Sequence, residues 1–109
     1  MWEDVEEQGY GIVREYTGHG VGKKMHEDPS VPNWWPTRRE MRKLKGKWKS
    51  YSLKRGMTYA LEPMVSMGSP DTLELDDHWT VVMADGSWCA HFEHTLAIVD
   101  MEPIILTLP

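Results

Sequence analysis

The stretch "WTVVMADGSWCAHFEHTLAIV", residues 79 to 99, constrains the fold more than any other. Two runs rich in β-branched and aromatic residues meet at Asp85-Gly86, a dipeptide suited to the positive φ angles of a tight hairpin turn. A hairpin here commits the chain to an antiparallel sheet. Successive side chains on a strand point to opposite faces. Trp88, Ala90, Phe92, His94, Leu96 and Ile98 would therefore share one face of the second run. Ser87, Cys89, His91, Glu93, Thr95 and Ala97 would share the other. The first face predicts core; the second is small and polar, with a carboxylate at its middle.

The remainder is punctuated in the same way. Residues 2 to 8 predict an amphipathic helix stopped by Gly9 and Gly11. "YGIVREYT", residues 10 to 17, predicts a strand, and the glycines at 18, 20 and 22 then allow a bulge or tight bend around His19. Pro29, Pro32 and Pro36 break regular structure. Thr37 to Glu40 has capping-box spacing and predicts a short helix ending near Gly46, with Met41 and Leu44 as its buried side. "MTYALEPMV", residues 57 to 65, alternates as a strand. A turn over Asp100 to Pro103 leads to a last strand, "IILTL". The chain has 109 residues, enough for one small domain with a modest core.

Several polar residues stand where chemistry is possible. Glu62 sits among Leu61, Pro63, Met64 and Val65, where a charge needs a partner, although an exposed strand carboxylate reads equally well from residue type. Glu93 sits in a similarly apolar run. Two such glutamates plus a histidine in a glycine bend are a candidate carboxylate–imidazole metal site. His91 and His94 fall on opposite faces of their strand, so His91 is the one able to share a site with Glu93. His26 has Glu27 and Asp28 beside it, two carboxylates placed to pair with its imidazole. His78 falls in a probable turn after Asp76 and Asp77 and reads as solvated.

Charge is unevenly spread. Nine of the twelve Lys and Arg residues lie between Arg38 and Arg55, with Glu40 the sole acid among them. That segment is +8, and the rest of this −5 chain is −13. Trp48 and Tyr51 interleave with the cations, and Trp34 and Trp35 precede them; such a pattern suits nucleic-acid phosphates and bases, or a solvated loop pinned by its aromatics. One cysteine excludes an internal disulfide framework, and no apolar run is long enough to cross a bilayer. The acidic start, "MWEDVEEQGYG", is unlike a secretory signal or transit peptide. A cytoplasmic protein is the expectation.

"GYGIVREYTGHGVGKKMHEDPSVPNW", "LKRGMTYALEPMVSMG", "DDHWTVVMADGSWCAHFEHTLAIVD" and "ILTL" together resemble the C-terminal half of a type I methionine aminopeptidase. The combination of GHG, HEDP, EPM and FEHT is specific and appears in the family's order. Prolidase and aminopeptidase P share the pita-bread fold and are the nearest confusable relatives. The resemblance implies an α+β class: the C-terminal half of a pita-bread fold over residues 1 to 109, a mainly antiparallel curved sheet with a flanking helix. A basic loop excursion would occupy about residues 35 to 52.

What the resemblance implies for the site can be carried over residue by residue. His19 resembles the imidazole ligand of a dinuclear centre, and Glu62 a carboxylate that binds one metal and shuttles protons. Glu93 resembles the carboxylate that bridges both metals. His26 resembles the histidine that hydrogen-bonds the substrate around the scissile amide. Met25, Trp79 and His91 fall at substrate-binding positions, with Met25 and Trp79 lining a methionine side-chain pocket. Met25 replaces the commoner phenylalanine, and Thr17 a frequent cysteine. The cofactors implied are divalent metal ions, Mn, Fe, Co or Zn, two per complete enzyme. The family's two aspartate ligands and a further pocket histidine belong to an N-terminal half with no counterpart here, so a longer or partnered enzyme is expected, and an inactive chain in isolation. The implied partners are N-terminal methionyl peptides or nascent chains. A ribosome contact through residues 38 to 55 and a homodimer filling the missing half are further expectations. The rival reading is a non-catalytic pita-bread binding protein that contacts RNA through the basic loop.

Overall fold

The computed structural model describes residues 1–44, 51–100 and 102–109. In chain order the elements are α1 (Trp2–Glu7), β1 (Gly11–Ile12), β2 (Gly18–Gly20), β3 (Glu27–Val31), α2 (Arg38–Leu44), β4 (Thr58–Leu61), β5 (Met64–Ser66), β6 (Thr72–Glu74), β7 (Val81–Met83), β8 (Cys89–His91), β9 (His94–Val99) and β10 (Glu102–Ile105). Every strand pair is antiparallel. The pairs form a five-stranded sheet in the order β10-β9-β4-β2-β3, a three-stranded sheet β1-β5-β8, and the pair β6-β7. Among the described residues, no helix is long and apolar enough to cross a membrane.

The two larger sheets share a seam. β4 pairs with β9 up to Leu61 opposite His94, and β5 pairs with β8 from Met64 opposite His91. Between these pairs lie Glu62-Pro63 on one strand and Phe92-Glu93 on the other. Pro63 has no N–H to give a ladder, so regular pairing must stop there. The Phe92 N–H still donates to the Pro63 carbonyl at 3.2 Å, which keeps the two chains side by side as they cross. The predicted strand over 57 to 65 is therefore two strands. Glu62 and Glu93 both stand in the seam.

The expected hairpin is not formed. Asp85-Gly86 does turn the chain, with the Gly86 N–H on the Met83 carbonyl at 3.0 Å and Gly86 at φ +73°. However, β7 pairs with β6, and β8 leaves to pair with β5. The Asp85 carboxylate accepts from the Ser69 N–H at 2.7 Å and the Ser87 N–H at 3.0 Å. The turn is thereby tied to the loop after β5. The Ser87 hydroxyl, with these N–H groups, holds the Asp85 carboxyl down to about 2.

The predicted core face survives only in part. Leu96 and Ile98 of β9 are buried with Ile12, Val13, Ala60 and Met83, whereas Trp88 is 82% exposed and Phe92 67%. All three residues of β8 are exposed, so both faces of the chain are open up to the seam and neither ring is covered. The strand predicted over 10 to 17 shortens to β1, and Arg14 just beyond it bonds Glu6 at 3.2 Å and Glu40 at 2.8 Å, its guanidinium 4.7 Å from the Trp34 ring centre. The last strand starts earlier than expected, at Glu102, after a turn in which Asp100 has φ +47°.

The capping box at the start of α2 is present. Glu40 accepts from the Thr37 N–H at 2.8 Å, and the Thr37 hydroxyl accepts from the Glu40 N–H at 3.3 Å. The helix end expected near Gly46, with Trp48 and the rest of residues 45 to 50, lies outside the described residues.

Candidate metal centre

His19 occupies the middle of β2, opposite Ala60 of β4 and Ser30 of β3, with the register slipping between His19 and Gly20. The flanking glycines are required by close approach. A Cβ at Gly18 would lie 2.2 Å from the Ala60 carbonyl oxygen, and one at Gly20 would lie 2.3 Å from that of Asp28. Backbone atoms cannot swing aside, so only glycine lets three strands close over the histidine.

The orientation of the imidazole follows from its hydrogen bond. Nδ1 faces the Gly20 carbonyl at 2.9 Å. A carbonyl only accepts, so Nδ1 carries a proton, and in the neutral ring Nε2 keeps its lone pair. That lone pair meets Glu62 Oε1 at 3.3 Å. The Glu62 side chain is 13% exposed, and Oε1 is buried without a donor. With the ring neutral, two acceptors face each other in a poorly solvated place, an arrangement that a cation between them resolves. Glu93 supplies the third group: one ligand atom from each of His19, Glu62 and Glu93 lies within 4.8 Å of the others. One imidazole and two carboxylates fit a divalent ion that takes nitrogen and oxygen donors, such as Mn, Fe, Co or Zn.

The other predicted residues fall around this cluster unequally. His91 Nε2 lies 3.4 Å from Glu62 Oε2, the oxygen away from His19. The His26 ring lies 4.2 Å from the His19 ring, centre to centre. The anticipated pairing of His26 with Glu27 and Asp28 is not made, and the Glu27 carboxylate accepts from the Lys24 N–H at 2.9 Å. His19, His26, Lys24 and Asp28 line one cavity of about 580 Å³. A second, more apolar one of about 940 Å³ is lined by Val13, Met64, Val82, Met83, Trp79 and His91, among others. Met25 is 74% exposed and does not line the cavity that Trp79 lines, so the two are not brought together.

His78 stands apart on the surface, 3.5 Å from Glu74, and His94 bonds the Thr107 hydroxyl at 2.8 Å. Cys89 lines the apolar cavity beside His91, where partial burial pushes its thiol pKa up. One contributor was missed in the sequence. Asn33 is 2% exposed, and its Nδ2 donates to the Glu62 backbone carbonyl at 3.2 Å, where the seam has removed a ladder partner. A single amide within the proline-broken run "VPNWWP" was the available signal.

The model of metallopeptidase family M24 matches residues 1–100 of this chain. Methionine aminopeptidase 1 of Bacillus subtilis is 48% identical over 103 residues, covering 94% of this chain and 38% of that protein. Methionine aminopeptidase of Aquifex aeolicus is 46% identical over 105 residues, covering 96% and 38%. A crystal structure of methionine aminopeptidase from Thermotoga maritima superposes with a TM-score of 0.84 at 42% identity, over 99% of this chain and 39% of that one. This chain thus spans rather more than a third of the length of the relatives it matches. Its antiparallel sheets and few helices are those of the pita-bread fold.

Proposed function

We propose, from the premise that this chain belongs to metallopeptidase family M24, that it supplies part of a metal-dependent enzyme removing N-terminal methionine from nascent proteins. The observation that carries the reading is the convergence of His19, Glu62 and Glu93, with a buried carboxylate oxygen lacking any donor. His19, Glu62 and Glu93 would hold a divalent ion, which would supply Lewis-acid polarisation of a scissile carbonyl and activation of water for its hydrolysis.

The chain's own residues have separate tasks. His26, beside His19, holds the amide of a peptide entering the polar cavity. The apolar cavity beside Trp79 and Met64 takes an unbranched, flexible methionine side chain, a ligand suited to irregular apolar space. Glu62 moves a proton between water and the leaving amine. Three ligands hold one ion, and the chain alone is expected to be inactive because the remaining ligands come from sequence outside it.

The test replaces the matching segment of the Bacillus subtilis relative with this chain and follows methionine release from Met-Ala-Ser. Release that Glu93→Ala abolishes is the expected result. A folded, metal-loaded chimera that releases nothing would overturn the assignment.

A further inference from the structure

We infer that His91 is a positioning residue that divides the labour of the two Glu62 oxygens, keeping Oε1 for the ion by holding Oε2. The inference rests on the metal-centre reading above and adds a role for a side chain outside the ligand set. Glu62 is flanked by two imidazoles, with His19 Nε2 at 3.3 Å from Oε1 and His91 Nε2 at 3.4 Å from Oε2. They are not equivalent. The His19 proton is committed to the Gly20 carbonyl, so its Nε2 presents a lone pair. His91 has no such commitment among the described hydrogen bonds, and its Nε2 is free to carry the proton toward Oε2.

Strand register explains why His91 arrives there. It pairs with Met64 across β8 and β5, so the two side chains share a face. Glu62 stands two residues before Met64, in the seam where that ladder ends, and the contact there brings its Oε2 within 3.4 Å of His91 Nε2. A carboxylate at a strand break can rotate, and rotation would let both oxygens or neither meet the ion. A donor on Oε2 removes that freedom. Metal-ligating carboxylates are commonly oriented by such hydrogen-bonded neighbours, whose loss weakens metal binding about 10- to 100-fold.

The test compares the full chain with His91→Phe, which keeps a ring but no donor, and His91→Gln, which keeps an N–H donor. Mn²⁺ affinity is read from the electron paramagnetic resonance signal of the free ion, and the visible spectrum of the Co²⁺ form reports ligand geometry. His91 is half exposed, and thermal melting without metal checks that each variant folds; His91→Leu serves if His91→Phe does not. We expect the donorless variant to bind Mn²⁺ at least tenfold more weakly with a changed Co²⁺ spectrum, and His91→Gln to stay within about threefold of the parent. If His91→Phe binds as the parent does, or His91→Gln is as weak as His91→Phe, the inference fails. If the parent chain itself binds no Mn²⁺, the metal-centre reading fails and takes this inference with it.

Discussion

Replacing Gly18 with alanine should damage both the sheet and the metal centre, and the size of the effect can be worked from the strand spacing. The new Cβ would lie 2.2 Å from the Ala60 carbonyl oxygen, with the Val31 carbonyl oxygen 3.1 Å away on the other side. Ordinary contact begins near 3.4 Å, so β2 and β4 must part by about 1.2 Å. The Val21 N–H to Thr58 carbonyl bond, 3.0 Å long at the end of the same ladder, would be stretched past hydrogen-bonding distance. Losing two or so such bonds costs about 2–6 kcal/mol, since each leaves groups unsatisfied at about 1–3 kcal/mol. For a domain of this size, that lowers the melting temperature by roughly 10 °C or more. The same displacement carries His19 away from Glu62, so Mn²⁺ affinity should fall with stability. Thermal unfolding by circular dichroism and metal titration of Gly18→Ala provide the assay. A variant that melts and binds metal like the parent would refute the argument that close approach dictates glycine here.

Acid should loosen the turn at Asp85. Its folded pKa, about 2, lies below the ordinary 3.8, so its stabilisation is complete above pH 3.8 and is lost as pH falls toward 2. Asp85→Asn should melt lower than the parent at pH 6 and flatten that part of the acid profile; an unchanged profile would contradict the assignment. Arg14→Ala should lower the melting temperature by detaching α2 from α1, because one guanidinium bonds both Glu6 and Glu40. Glu40 has its pKa lowered chiefly by the Thr37 N–H and hydroxyl and less by Arg14. The capping box should therefore persist, and loss of the α2 amide protection pattern in Arg14→Ala would argue against this division.

The sequence by itself determined the local chemistry. Asp85-Gly86 turns, Thr37 and Glu40 cap a helix, Gly9 stops one, and Pro63 denies the ladder a donor, because each effect depends on a residue's own backbone geometry or on partners within a turn's reach. The motif set around His19, Glu62 and Glu93 also points to metal chemistry from residue type alone. Only the tertiary structure decided which strands pair. Asp85 reaches Ser69 across the fold, and that bond accompanies the pairing of β8 with β5 rather than back along β7. Alternation likewise placed Trp88 and Phe92 in the core, but β8 is exposed on both faces up to the seam, so neither ring is covered. The same seam brings Asn33 under Glu62 and His91 beside it. No local rule joins residues 33, 62 and 91; they meet because two strands break opposite one another.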